Sequence, residues 1–172
     1  LTNSIIATLL DAAKKRKVRV SFAPEELKTY FTNFPATMNL AGAWRIQPLK
    51  SELKRVALDS NEISNSFRLQ ALRGLAAFGD TTTLEMIASD SKQPREIIAP
   101  TIKLLAVINT QLAAKLTTQF MRQLSADELK EYYSVIEVFI NRKNGVAELV
   151  KELRGLELSE ESKQMLVTLL NK

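Results

Sequence analysis

The sequence contains no cysteine and no histidine among its 172 residues. Structural zinc sites are built mainly from these two residue types, so a typical zinc site is not expected. Haem attachment through cysteine is excluded, and so are the Ser-His-Asp and Cys-His nucleophile arrangements. Only carboxylate, Lys, Tyr or Ser/Thr chemistry remains, and no motif supports it. The sequence therefore predicts a protein that is not an enzyme and needs no cofactor.

Glycine and proline are also scarce, with five of each, and aromatic residues make up only 6%. Such a composition favours helices over a turn-rich β fold. No apolar run approaches the roughly 20 residues that span a bilayer, so no membrane insertion is expected. The chain begins at Leu1, and its first charges follow an apolar stretch, unlike those of a signal peptide. We expect a segment of a longer protein.

The formal charge of +5 is concentrated in one short run. The run consists of Lys14, Lys15, Arg16, Lys17 and Arg19. Without these five residues, the remaining 19 basic and 19 acidic residues balance. The run is a candidate contact for a polyanion or for an acidic protein partner. The alternative is a solvated helix end, where cations favour the negative pole of the helix dipole.

Apolar spacing predicts helices along the whole chain. Pro24 and Pro48 suit the first turns of two of them, Gly79 suits a helix end, and Ser125 with Glu128 suits a capping box. Pro100 should either kink its helix or mark the true first turn. The predicted helices are 4–16, 24 onwards, 36–44, 48 onwards, 66–78, 81–88, 96–108, 111–124, 126–141, 145–153 and 159–170.

Two of these helices repeat each other at an offset of thirty residues. The segments 71–80 and 101–110 match at apolar positions, and Gly79 aligns with Asn109, which also tolerates a left-handed helix end. Residues 40–44 form a weaker third copy. Helix pairs recurring at this period are typical of an α-solenoid. The predicted fold is all-α, in one domain of residues 1–172 with less regular helices in 1–35; the alternative is a helical bundle.

Three stretches resemble a known family. Residues 39–46, 68–80 and 138–145 read NLAGAWRI, RLQALRGLAAFGD and VFINRKNG. Their order and spacing resemble the HEAT-repeat segment of large exported bacterial proteins that also carry a sugar-dehydrogenase-like β-propeller and a c-type cytochrome domain. The resemblance covers about residues 36–170. The chain departs from the family's usual pattern at Pro100, and it is richer in lysine and poorer in alanine.

The resemblance implies a periplasmic or cell-surface location and a non-catalytic scaffold or spacer role between protein domains. It carries no catalytic, cofactor-binding or metal-binding residue onto this chain. The alternative is a nucleic-acid-binding protein resembling the HEAT-like alkyl-base DNA glycosylases. Those need a basic concave groove and a catalytic carboxylate, and the confinement of the excess charge to one run argues against them.

Three basic residues recur on the first helices of the aligned repeats, and they are the candidate protein-interaction stripe: Arg68, Arg73 and Lys103. Trp44 is the only tryptophan, and we expect it to pack between helices. Tyr132 and Tyr133 should straddle core and surface. The nearby acidic residues, Asp127, Glu128 and Glu131, suit the start of a helix better than acid–base chemistry.

Overall fold

The chain is all-helical in a computed structural model that describes residues 3–17, 23–154, 160–161 and 163–164; these contain no β-strand. Two compact units divide it, unit 1 (Leu1–Leu84) and unit 2 (Glu85–Lys172). The helices are α1 (Asn3–Arg16), α2 (Pro24–Thr29), α3 (Ala36–Ala43), α4 (Lys50–Leu58), α5 (Asn65–Phe78), α6 (Thr81–Ser89), α7 (Arg95–Ile108), α8 (Thr110–Met121), α9 (Ala126–Glu131), α10 (Ser134–Ile140) and α11 (Gly145–Leu153), with a 3-10 turn at Gln47–Leu49. No helix in the described ranges is both long and apolar enough to cross a membrane.

In unit 1, helix α5 packs against α3 and α4. Its crossing with α3 depends on two glycines, Gly42 and Gly74. A Cβ added at Gly42 would lie 2.5 Å from the Cα of Gly74 and even closer to its carbonyl oxygen. A Cβ added at Gly74 would lie 2.5 Å from the carbonyl oxygen of Met38. The backbones of the two helices therefore touch with no side chain between them.

Helix α5 ends at the predicted glycine. Gly79 has φ +77°, a left-handed conformation that glycine adopts without steric cost. Asp80 follows, and its Oδ1 accepts a hydrogen bond of 3.1 Å from the backbone N–H of Thr83 in the first turn of α6. The predicted helix end at Gly79 is confirmed, and Asp80 caps the helix that follows.

The side chain of Asp80 is 4% exposed and carries a buried charge. The ammonium groups of Lys50 and Lys54 on α4 lie 3.1 and 3.0 Å from its Oδ2. Burial alone would raise the pKa of Asp80, but the hydrogen bonds from the backbone of Thr83 and from the two lysines outweigh it and hold the pKa at about 2. Asp80 therefore joins α4 to the start of α6.

In unit 2, α7 and α8 form a hairpin with one connecting residue, Asn109. Its φ of −144° lies outside the left-handed region, so the expected equivalence with Gly79 is wrong. The Oδ1 of Asn109 instead accepts a 3.0 Å hydrogen bond from the N–H of Leu112, as the N-cap of α8. Asn109 thus has the role of Asp80, and the fully buried pairs Leu72/Ile102 and Leu75/Leu105 keep the thirty-residue offset.

The predicted single helix 126–141 is wrong, because the chain breaks into α9 and α10 at Tyr132 and Tyr133. The backbone N–H groups of Tyr133, Val135 and Ile136 donate to the carbonyl oxygen three positions earlier, instead of four as in an α-helix. The half-buried ring of Tyr132 packs edge-on against Phe120 of α8, with the ring centroids 5.3 Å apart. Helix propensity alone does not predict the turn at which this tertiary contact forms. Both tyrosines do straddle core and surface, as expected.

Several local predictions hold. The capping box of Ser125 and Glu128 is present at the start of α9. Trp44 is 5% exposed, as expected of a core residue. Pro100 lies in the second turn of α7, so it does not mark the first turn. Of the predicted helix 159–170, residues 160–161 and 163–164 are described and helical; the rest lies outside the described residues.

Candidate functional site

Unit 1 contains a cleft where the end of α2, the middle of α4 and the loop before α5 meet. We call it the unit 1 cleft. Its volume of about 470 Å³ is within the range of about 300–1,000 Å³ usual for binding sites. The lining residues are Lys28, Phe31, Thr32, Met38, Glu52, Arg55, Val56, Glu62, Ile63, Ser64 and Phe67.

The floor of the unit 1 cleft is apolar. Phe31, Met38 and Val56 form it and are almost fully buried, while Ile63 and Phe67 at the side are half-buried. Met38 is held in place because α3 crosses α5 at the glycine contact. The floor therefore suits an apolar or aromatic side chain of a ligand.

Charged residues form the rim on the side of α2 and α4. The carboxylate of Glu52 accepts hydrogen bonds from Nη2 and Nε of Arg55 at 2.8 and 3.3 Å. The ammonium group of Lys28 lies 3.7 Å from the same carboxylate. The side chain of Glu52 is 20% exposed, whereas those of Lys28 and Arg55 are 45% and 59% exposed. The cations therefore face solvent, and the acid between them is recessed.

The hydrogen bond from Arg55 lowers the pKa of Glu52, and the same bond raises the pKa of Arg55. Both groups stay charged across the physiological range. Arg55 carries five N–H donors and Lys28 three, more than one carboxylate can engage. The rim therefore keeps donor capacity for an anionic group of a ligand.

The third wall is the loop between α4 and α5. The Oδ1 of Asp59 accepts hydrogen bonds from the backbone N–H groups of Asn61 and Glu62 at 3.1 and 3.0 Å, which closes a turn. The bond from Glu62 is the main cause of a lowered pKa of Asp59. The loop is thus a defined turn that presents Glu62 and Ile63 to the cleft.

Arg68 fixes the end of α4 to α5 below this loop. Its guanidinium donates from Nε to the carbonyl oxygen of Ala57 at 3.0 Å and from Nη1 to Oδ1 of Asn65 at 3.4 Å. Arg68 is fully buried, and burial lowers its pKa. The prediction that Arg68 belongs to an exposed interaction stripe is therefore wrong, because its side chain binds a helix end inside unit 1.

The other two members of the predicted stripe differ from Arg68. Arg73 is exposed on α5. Lys103 on α7 is half-buried, and its ammonium group donates to Oγ of Ser134 at 3.3 Å. Of the three, Arg73 has the exposure that a partner contact requires.

The predicted polyanion contact lies at the end of α1. Lys15 is exposed and forms an ion pair of 2.9 Å with Asp11, one turn earlier. Lys17 is exposed just beyond the helix. The side chains of Lys14 and Arg16, and the whole of Arg19, lie outside the described residues. At Lys15 the positive charge is partly offset within α1 itself.

A second cleft of about 470 Å³ lies in unit 2, between the end of α6 and the end of α8. Its floor includes Ile98 and Phe120, and its rim is largely uncharged, with Gln119 and Gln123 beside a single basic residue, Arg122. The unit 1 cleft combines an apolar floor with both positive and negative charges on its rim. It therefore sets more requirements on a ligand than the cleft in unit 2 does.

The described ionisable groups suit ion pairing rather than proton transfer. Every described carboxyl group with a displaced pKa has it lowered: Glu52, Asp59, Asp80 and Asp90. A general acid or base needs a pKa near the working pH, which for a carboxyl group means a raised one. In the described ranges, no group of three or more Asp or Glu residues is arranged to hold a metal ion. The unit 1 cleft is therefore a candidate binding site.

The sequence carries little signal for the unit 1 cleft. Its charged rim joins Lys28 to Glu52 across residues far apart in the chain, and only the Glu52–Arg55 spacing of three gives a local signal. In comparisons with known proteins, no family model, curated protein or solved structure matches the chain.

Proposed function

We propose that this chain is a non-catalytic scaffold of HEAT-like antiparallel helix pairs that binds a protein partner in the unit 1 cleft. The partner segment inserts an apolar side chain onto Phe31, Met38 and Val56 and places a carboxylate against Lys28 and Arg55. The partner is a neighbouring domain of the same polypeptide or a separate protein. The observation that carries the proposal is the apolar cleft floor beside two exposed cations.

Local features of α5 to α8 support the repeat character. The side chain of Asp80 caps α6, the helix after α5, and the side chain of Asn109 caps α8, the helix after α7. Fully buried leucine and isoleucine positions recur at an offset of thirty residues in α5 and α7. A recurrence of this kind is expected of stacked helical repeats, which present extended binding surfaces.

The wider context of the proposal rests on the resemblance in residues 39–46, 68–80 and 138–145. On that basis the chain is a spacer in an exported dehydrogenase–cytochrome protein at the periplasm or cell surface. Intact mass and absorbance of the native polypeptide test this part. We expect a protein several times larger than this chain with c-type haem absorbance; a small haem-free protein would remove the redox context.

The binding role is tested by selecting random 12-residue peptides on phage against the immobilised chain. We expect the selected peptides to share a large apolar residue close to Asp or Glu. The best peptide, made synthetically, is then titrated by calorimetry against three variants: Lys28→Gln, Arg55→Gln and Arg73→Gln. All three positions are exposed and lie in unit 1.

The first two variants should weaken binding about tenfold each, as expected for the loss of a charge-assisted contact worth about 1.4 kcal/mol. Arg73→Gln serves as the matched control, because Arg73 does not line the cleft. A peptide that loses affinity only with Arg73→Gln would move the site to the surface of α5. Selected peptides without acidic residues, bound equally by all variants, would refute the proposal.

A further inference from the structure

The loop wall of the unit 1 cleft carries a negative charge that no basic group of the cleft binds. Glu62 lies in the loop between α4 and α5, lines the cleft and is exposed. Its backbone N–H donates to Oδ1 of Asp59 at 3.0 Å, which fixes the turn from which the side chain extends. Within the described residues, the carboxylate of Glu62 forms no ion pair. An acidic group is therefore available at this wall.

The neighbouring carboxylates differ from that of Glu62. The recessed carboxylate of Glu52 is shared between Arg55 and Lys28, so its charge is offset inside the protein. Asp59 uses Oδ1 to accept hydrogen bonds from two backbone N–H groups. Of the three carboxylates, that of Glu62 has the capacity to bind a cationic group of a ligand.

The two charged walls of the unit 1 cleft differ in sign. On α2 and α4, the two cations Lys28 and Arg55 face one carboxylate, which leaves that rim positive. On the loop side, residues 56–67 contain no lysine or arginine. The pKa of Arg55 is raised mainly by its hydrogen bond to Glu52, and the charges of Asp59 and Glu62 raise it further. The carboxylate of Glu62 therefore acts on the same space as the guanidinium of Arg55.

A ligand on the apolar floor lies beside both walls. A carboxylate of the ligand is attracted to Lys28 and Arg55 and repelled by Glu62, whereas an ammonium or guanidinium group is attracted to Glu62. Complementary charges at the rim of a binding site set the orientation of a partner and exclude wrong partners more than they raise affinity. The charges of the cleft therefore fit a ligand that carries both signs.

We propose that Glu62 is a specificity-determining residue of the unit 1 cleft and binds a lysine or arginine of the partner protein. The partner segment carries an acidic and a basic residue on either side of the apolar residue that enters the cleft. The acidic residue contacts Lys28 and Arg55, and the basic residue contacts Glu62, so the segment binds in one direction. This inference rests on the proposed function, because it requires a partner segment in the cleft.

Selection from the random 12-residue phage library on variants of the full chain tests the inference. We expect peptides selected on the parent to contain Lys or Arg near the apolar residue, in addition to Asp or Glu. Peptides selected on Glu62→Lys should lose that basic residue and contain further Asp or Glu instead. The turn itself depends on the backbone N–H of residue 62, which the substitution keeps.

The matched control is Glu25→Lys, which changes the net charge equally. Glu25 is exposed in unit 1 and does not line the cleft. Selection on Glu25→Lys should therefore give the same peptides as selection on the parent. Loss of the basic residue from the peptides selected on both variants would indicate an effect of net charge and would overturn the role of Glu62.

Calorimetry with the best peptide from the parent measures the size of the effect. Glu62→Lys should weaken its binding about tenfold, because an attractive contact at the rim becomes a repulsive one. A second peptide, with its basic residue replaced by Glu, should bind the parent more weakly and regain affinity on Glu62→Lys. Glu25→Lys should restore no affinity for the second peptide.

The results separate this inference from the function on which it rests. A peptide that depends on Lys28 and Arg55 but binds Glu62→Lys as tightly as the parent would overturn the role of Glu62 and leave the cleft as the binding site. A peptide whose affinity changes with none of the three residues would overturn both proposals.

Discussion

The substitution Gly42→Ala tests the contact between α3 and α5. In an ordinary helix interior this change stabilises by about 0.5–1 kcal/mol, because glycine loses more backbone freedom on folding. Here the added Cβ would lie 2.5 Å from the Cα of Gly74, well inside the roughly 3.5–4.0 Å at which two carbon atoms attract. Both obstructing atoms belong to backbone, so the helices must separate.

Separation by about 1 Å or more disturbs the packing of α5, including the fully buried Leu72 and Leu75. Overpacking of this kind costs typically about 1–3 kcal/mol. The conformational gain of alanine offsets part of this cost. We therefore expect Gly42→Ala to lower the free energy of unfolding by about 1–2 kcal/mol, opposite in sign to the helix-propensity expectation.

Urea denaturation followed by circular dichroism measures the change. The control is Gly79→Ala, where no heavy atom lies within 4 Å of the added Cβ. In Gly79→Ala the free energy of unfolding should fall only by the roughly 1–2 kcal/mol that a left-handed conformation costs alanine. The contact between α3 and α5 should stay intact. Trp44 is the residue directly after α3. Its near-ultraviolet circular dichroism signal should change in Gly42→Ala and stay the same in Gly79→Ala. A Gly42→Ala protein as stable as the parent would refute the close backbone contact.

Three further predictions concern buried groups in unit 1. Leu72→Asp should abolish the cooperative thermal transition of unit 1, because a buried unpaired charge is costly; melting like the parent would contradict the core assignment. The pKa of Asp80 is held at about 2, below its ordinary 3.8, so its stabilising contribution is present above that ordinary value and is lost as the pH falls towards 2. Asp80→Asn should remove this part of the pH dependence in acid denaturation curves, and an unchanged slope would contradict the ion pairs. Arg68→Met should cost about 1–3 kcal/mol in urea denaturation, since the carbonyl oxygen of Ala57 loses its donor, and a smaller loss in Arg68→Lys would identify the hydrogen bond as the cause.

Features that depend on a few neighbouring residues could be predicted from the sequence. Gly79 ends α5 because only glycine takes a left-handed conformation freely, and Ser125 caps α9 because its hydroxyl and the side chain of Glu128 reach the nearby N–H groups. Apolar spacing likewise predicted a helix over 66–78, and Leu72 and Leu75 on its apolar face are fully buried in α5. In each case the physical cause lies within one turn of helix.

Features that depend on distant residues could not be predicted. Arg68 has the spacing of a surface residue, and only the position of the end of α4 shows that it binds the carbonyl of Ala57. Asn109 permits a left-handed conformation or an N-cap, and the one-residue connection between α7 and α8 selects the cap. The rim of the unit 1 cleft requires Lys28 and Glu52 to meet across two intervening helical elements.

The glycine contact between α3 and α5 also has a consequence for solvent exchange. Where two helix backbones touch, water cannot reach the amide groups unless the helices part, so these amides exchange their hydrogen only through a large opening of the structure. The amides around Gly42 and Gly74, both buried, should accordingly be among the slowest to take up deuterium in unit 1. Their exchange rates in heavy water would then report the global stability of that unit under native conditions, without denaturant.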